Sequence, residues 1–200
     1  IISEVMMPEK DGYELTDTLK NDERTSHIPI ILLTAKSDFE AKMSGLQKGA
    51  DAYLSKPFEE QELLVRIDKL LELRKKLQER YAGESWPSAV QKQTEDPFLK
   101  KLYHYLQEHL ADADLNMDKI SRAMSMSRTQ VFRKLKALTG QSVSVLLKSL
   151  RLQKGRELLL TTNLTVSEVT YDVGFTSPSY FSNAFLEEFG VRPSGVRNKM

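Results

Sequence analysis

No cysteine occurs among the 200 residues, so neither a disulfide nor a thiolate metal site is available. That absence fits a reducing compartment, and the cytoplasm is the expected location. No apolar run approaches the ~20 residues that span a bilayer, so no membrane contact is expected of this fragment. No signal peptide is visible in these residues, and none is expected where Ile1 opens a strand-like run. Histidine is scarce, with three in the chain. His27 lies in a loop, and His104 and His109 are five apart on one predicted helix, hence on different faces. No metal pair and no Ser-His-Asp arrangement follows. There is also no Gly-rich phosphate loop of a kinase or nucleotidase. This chain is therefore not expected to be an enzyme.

What is present is uneven charge. The net +1 divides into −3 over residues 1–81, −2 over 82–96 and +6 over 97–200. An acidic front and a basic back imply that only the back meets a polyanion. The front alternates strand-like and helical patterns. Residues 1–7, 28–34 and 52–55 are short apolar runs. Residues 13–20, 38–48 and 59–81 have helical spacing. Alternation of this kind predicts a parallel sheet flanked by helices. Three strands fall short of the five or more of a doubly wound sheet, so a preceding part is expected. Residues 82–96 contain Gly, Pro and Ser without an apolar stripe and read as a linker, with Trp86 unexplained. Arg74, Lys75 and Lys76 read as a solvated helix end.

From Pro97 onward every pattern is helical, with predicted helices at about 97–110, 117–124, 128–138, 143–161, 166–173 and 178–189. A shift of 49 residues superposes Ile120 on Val169, Met124 on Val173, Met126 on Phe175, Ser127 on Thr176 and Phe132 on Phe181. Each repeat is a short helix, a turn and a second helix, which is a helix-turn-helix. In the first, Val131, Leu135 and Leu138, helped by Phe132, are the expected buried stripe. Ser127, Arg128, Thr129, Gln130, Arg133 and Lys134 are the expected DNA-binding residues. Arg holds guanine bidentately, Gln holds adenine, and Lys and Thr suit phosphates. Ser127 is the expected N-cap. In the second, Ser177, Ser179, Tyr180, Ser182 and Asn183 are offered, while Phe181, Phe185 and Phe189 face inward. Glu187 and Glu188 weigh against electrostatic affinity there. The 19-residue helix between the repeats spans ~28 Å, close to the ~34 Å between successive major-groove faces. Thr165 to Glu168 reads as a capping box.

The run VGFTSPSYFSNAFLEEFGVRPS resembles the second helix-turn-helix of the AraC-family DNA-binding domain. Gly155 stands where that family usually has Ala, through a close helix crossing or through drift. The run IISEVMMPEKDG, with Thr34 in LLTA and Lys56-Pro57, resembles a response-regulator receiver domain. That resemblance implies the last three strands of a truncated doubly wound receiver, followed by an all-α domain with two helix-turn-helix units. It implies a phosphoacceptor position at Glu4, where the family has Asp, and switch residues Thr34, Tyr53 and Lys56. It also implies a cis Lys56-Pro57 bond. Glu4 reads either as a permanent partial mimic of the phosphorylated state or as the mark of a degenerate, silent receiver. Mg²⁺ is expected only in an intact receiver, because Glu4 and the Met6 carbonyl would make a partial site.

The whole order resembles a response-regulator transcription factor and the C-terminal end of Bacteroidetes hybrid two-component sensors. The resemblance implies domains at 1–81, 82–96 and 97–200, and a sequence-specific regulator controlled by phosphorelay. The alternative is the end of a membrane-anchored hybrid histidine kinase whose catalytic part lies elsewhere. The implied partners are double-stranded promoter DNA, a histidine kinase or a kinase domain of the same chain, and a second copy joined through residues 74–81. Three rivals remain: an AraC-type regulator with an effector-binding barrel, a kinase whose catalytic part precedes Ile1, and an interaction module without DNA binding.

Overall fold

The structure is a computed structural model that describes residues 1–35, 49–83 and 96–196. The predicted helix at 38–48 and most of the predicted linker, Trp86 included, lie outside these residues. The chain divides into two units, the first carried by Ile1–Glu79 and the second by residues from Arg80 onward.

The first unit holds three strands, β1 (Ile2–Glu4), β2 (Ile31–Ala35) and β3 (Ala52–Lys56), all parallel in the order β1-β2-β3. Helix α1 (Gly12–Asn21) follows β1, and α2 (Glu60–Gly83) follows β3. The run of branched residues in β2 is buried on both faces, as a central parallel strand requires. Ile30, Leu32, Ala50 and Tyr53 form the core, with Val5, Tyr13 and Leu19 of the first strand-helix pair packed against them. Asp11 caps α1 by accepting from the Glu14 amide at 2.7 Å. In α2 Leu63, Ile67 and Leu70 are half-buried, whereas Leu64, Leu71, Leu73 and Leu77 are exposed. The Lys56-Pro57 bond is cis, as expected from the sequence.

The second unit is helical: α3 (Pro97–Glu108), α4 (Met117–Ala123), α5 (Arg128–Thr139), α6 (Val143–Thr161), α7 (Val166–Asp172) and α8 (Pro178–Phe189), then a short 3₁₀ turn at Pro193–Gly195. Helix α3 ends before His109, which is its C-cap, two residues short of the expected boundary. Each helix start has a chemical cause. Asp96 accepts from the Phe98 and Leu99 amides with Pro97 at the first helical position, and Asn116 accepts from Asp118 and Lys119. Capping boxes open α5, through Ser127 and Gln130, and α7, through Thr165 and Glu168. Left-handed Gly140 and Gly190 close α5 and α8.

The second helix-turn-helix has its own core of Leu152, Leu159, Val169, Val173, Phe175, Phe181 and Phe185. The Phe181 and Phe185 rings are 5.5 Å apart, and Phe185 continues to Phe189 at 4.6 Å. Gly155 lies where α6 meets Phe181. A Cβ there would be 3.0 Å from two ring carbons of Phe181, so the close crossing accounts for the glycine. Arg151 in α6 ties the halves of the unit together, donating from Nε to the Leu110 carbonyl at 3.0 Å and from Nη2 to the Asp112 carbonyl at 2.6 Å. Among the described residues no helix is long and apolar enough to cross a membrane.

Candidate functional site

Two surfaces carry the predicted site residues, one in each unit. In the first unit, parallel register brings strand C-termini side by side, the edge where open α/β sheets place their chemistry. Glu4 ends β1 and Lys56 ends β3, with Thr34 next to last in β2 between them. The Lys56 ammonium donates to the Glu4 carboxylate, each side chain about half exposed. Thr34 is buried, and its hydroxyl donates to the Ala35 carbonyl at 3.2 Å. Tyr53 points into the core, where burial, with Tyr13 adding to it, pushes its phenol up to about 12. Among the described residues the Tyr53 hydroxyl has no hydrogen-bond partner.

The donor set does not fit a Mg²⁺ ion. Glu4 is committed to Lys56, Met6 offers a carbonyl from a residue that is otherwise exposed, and no group of three His, Asp or Glu converges among the described residues. An octahedral cation needs more oxygen than this edge supplies.

In the second unit, the exposed surface of α5 is built from its cap outward. The Ser127 hydroxyl accepts from the Gln130 amide at 3.2 Å, and Gln130 Oε1 accepts from the Ser127 amide at 2.8 Å. The carboxamide oxygen needed for a two-point contact with adenine is therefore already engaged. Arg128 is also engaged: its Nε and Nη2 grip both oxygens of Asp118 in α4. Thr129 and Arg133 are exposed as expected.

Two expectations for α5 are overturned. Lys134 does not project outward; it is 1% exposed, with its ammonium 4.9 Å from the centre of the Phe98 ring. A long aliphatic stem and a cation–π contact make that burial tolerable. Phe132 does not join the buried stripe; it is 50% exposed, while Val131 and Leu135 are buried and Leu138 half-buried. The Phe132 error comes from the register. The 49-residue shift holds from α4 to α7 and through Met126 and Phe175, but Ser127 and Ser177, the two N-caps, are 50 apart. Thr176 is the extra residue in the second turn. In the corrected register Val131 matches Phe181, Leu135 matches Phe185, and Lys134 matches Ala184, all buried.

Helix α8 offers Ser179, Tyr180 and Asn183 as exposed groups, with Ser182 half-buried and Ser177 capping through the Tyr180 amide at 3.3 Å. Lys148 of α6 lies 6.0 Å from the Tyr180 ring. Glu187 is 3.4 Å from the Lys148 ammonium, and Glu188 accepts from Ser149 at 3.3 Å, so both carboxylates are turned toward α6 partners. Asp118 and Arg151 escaped the sequence reading. For Asp118 a signal existed, an acidic residue in the first turn of α4 facing the first residue of α5. For Arg151, none distinguishes it from other helix cations.

Comparison with known proteins gives two family matches. Residues 120–199 match the model for a helix-turn-helix domain, and residues 1–68 match that for a response regulator receiver domain. Histidine kinase P4 of Formosa agariphila is 37% identical over 202 residues, covering 100% of this chain and 15% of that protein. The HTH-type transcriptional regulator MtrA of Neisseria gonorrhoeae is 36% identical over 102 residues, 50% of this chain and 34% of its own. The C-terminal domain of AraT, a response regulator from Geobacillus stearothermophilus, is 32% identical with a TM-score of 0.49, covering 52% of this chain and 86% of that one. The chain thus spans a minor part of both curated relatives.

Proposed function

We propose that this chain, which belongs to the response regulators that join a receiver to an AraC-type helix-turn-helix domain, is a sequence-specific DNA-binding transcriptional regulator under phosphorelay control. One observation carries the reading: two capped second helices, α5 and α8, each present an exposed polar surface from one helical unit, joined by the long α6. Residues 97–200, at net +6, are the DNA-binding part; residues 1–81 are the receiver part, with 82–96 as linker. Ser127, Arg128, Thr129, Gln130 and Arg133 meet the first major-groove segment, and Ser177, Ser179, Tyr180, Ser182 and Asn183 the second. Lys134 is removed from that set and packs the domain instead. The setting is the cytoplasm, with promoter duplex as partner and no cofactor of its own; Mg²⁺ belongs to receivers with a full acidic site.

At the strand ends, Lys56 already meets a carboxylate where the family places a phosphoryl oxygen, and Tyr53 is inward. This supports Glu4 as a standing partial mimic of the phosphorylated state. Glu4→Gln removes the charge that Lys56 holds, and promoter occupancy in the full-length protein should fall. Unchanged occupancy in a gel shift would count against the mimic. The DNA reading itself is tested by titrating salt: binding that weakens steeply with salt supports it, and no binding at low salt favours an interaction module.

The match across the whole chain to 15% of a histidine kinase favours one second reading, in which these residues form the C-terminal end of a hybrid kinase. The kinase partner is then a domain of the same chain, anchored in the membrane, and the enzymatic activity lies outside these residues.

A further inference from the structure

On the exposed surface of α5 most of the polar groups that read bases are already occupied. The Arg128 fork is closed on Asp118, the Gln130 carbonyl oxygen is held by the Ser127 amide, and Lys134 is buried. What stands out is an aromatic ring. Phe132 lies four residues after Arg128 and three after Thr129, so the three share one helix face, with exposed Arg133 beside them. The ring is 50% exposed although Val131 and Leu135, on either side in sequence, are fully buried. It forms one wall of a depression of about 400 Å³, otherwise lined by Met117, Arg128, Thr129, Ser142, Val143 and Ser144. An exposed aromatic ring beside two arginines, in a domain of net charge +6, fits a partner that is anionic outside and apolar at one point.

We propose that Phe132 is an apolar base reader, whose ring meets the 5-methyl group of a thymine in the major groove. This rests on the DNA-binding reading above. A thymine presents the groove with one apolar group, and Phe is among the side chains that meet it by contact rather than by hydrogen bond. The cap-to-cap register places Ser182 of α8 at the equivalent point, where the ring is replaced by a hydroxyl. The thymine requirement therefore belongs to one half of the binding site, the half under α5. Arg133 beside the ring supplies the phosphate contact that fixes the register.

The test is selection from randomised duplexes of ~30 base pairs, long enough for two successive major-groove segments, with the full chain and its Phe132→Gln variant. The wild type should enrich a two-part motif with an invariant T·A pair in one part, and Phe132→Gln should lose preference at that pair alone. Replacing that thymine by uracil deletes only the methyl group. It should weaken the wild type about three- to five-fold, the loss for one buried methyl, and the variant less than about two-fold. The same motif from both proteins, or no effect of uracil, overturns the thymine contact while leaving DNA binding intact. Failure of the wild type to enrich any motif overturns both. Unaltered DNA selection together with lost self-association of Phe132→Gln in sedimentation assigns the ring to a protein contact and also overturns the proposal. Circular dichroism of the variant should match the wild type, because the residue packs no core.

Discussion

At the scale of single residues, the second turn shows how little freedom one position has. Gly174 sits at φ 80°, and a Cβ there would run into the Leu110 carbonyl oxygen and lie 2.8 Å from Nη2 of Arg151. Gly190 has a similar φ of 68° but nothing within 4 Å of a built Cβ. The pair separates backbone strain from steric overlap. Gly190→Ala should cost about 1 kcal/mol, the price of a left-handed conformation alone. Gly174→Ala should cost well above about 2 kcal/mol, because Leu110 and Arg151 must also move. Urea denaturation of both variants checks this, and equal midpoints would refute the overlap. The same turn explains what the sequence concealed. Gly174 was legible as a tight turn, but Thr176 beside it is one residue extra, and nothing in the hydropathy of VGFTS marks an insertion. A register fixed on Ser127 and Thr176 sets Phe132 on Phe181 and so turns it inside. The better signal was the capping chemistry, since Ser127 and Ser177 each sit at the start of a helix and accept from the amide three residues on. Lys134 would still have escaped: a lysine at a buried helical position is indistinguishable in a pattern from one on a solvated face.

At the scale of elements, helix starts were legible because caps are local chemistry, readable from four consecutive residues. The box at Thr165 and Glu168 was expected and is present, with Glu168 Oε2 accepting from the Thr165 amide at 2.7 Å and from its hydroxyl at 2.8 Å. Those two bonds hold the Glu168 carboxyl below the usual carboxylate range, the backbone bond contributing most. A carboxyl depressed on folding adds stability that is present above its unfolded value. That stability is lost as pH falls through the folded one. Helix α7 should therefore loosen in acid over the window below the ordinary glutamate range. An NMR titration should find Glu168 titrating low in the wild type and higher, though still lowered by the remaining backbone bond, in Thr165→Val; identical curves would dismiss the hydroxyl's part in the box. The strands were legible as apolar runs, but β1 is shorter than its run, β2 is displaced along its own, and β3 extends one residue past its run. β1 stops at Glu4, since pairing with β2 ends there although Val5 and Met6 continue the pattern. Run length reports burial, while strand length is set by which neighbours remain to be paired.

At the scale of the whole molecule, charge asymmetry and the two resemblances set out the organisation without any geometry. What they could not supply is occupancy: Arg128 with Asp118, Gln130 with Ser127 and Glu4 with Lys56 are pairings between residues up to 52 apart in sequence. Self-association belongs to this scale. Exposed Leu73 and Leu77 in the last part of α2, with half-buried Leu70 before them, make a short apolar stripe at near-heptad spacing. Two parallel copies of this helix should associate through it. In analytical ultracentrifugation Leu77→Glu should shift the chain toward monomer, and association equal to the wild type would exclude the stripe. The extra Thr176 has a practical consequence for anyone re-engineering DNA specificity. The two reading helices are tempting as exchangeable cassettes, since their repeat is plain in the sequence. A transplant of α5 into the place of α8 aligned on that repeat would rotate the grafted face by about 100°, one residue of helix, and aim its core stripe at the groove. Aligned on Ser127 and Ser177 instead, the same graft would keep its orientation, so chimeras in the two alignments differ by one residue and should differ entirely in whether they bind.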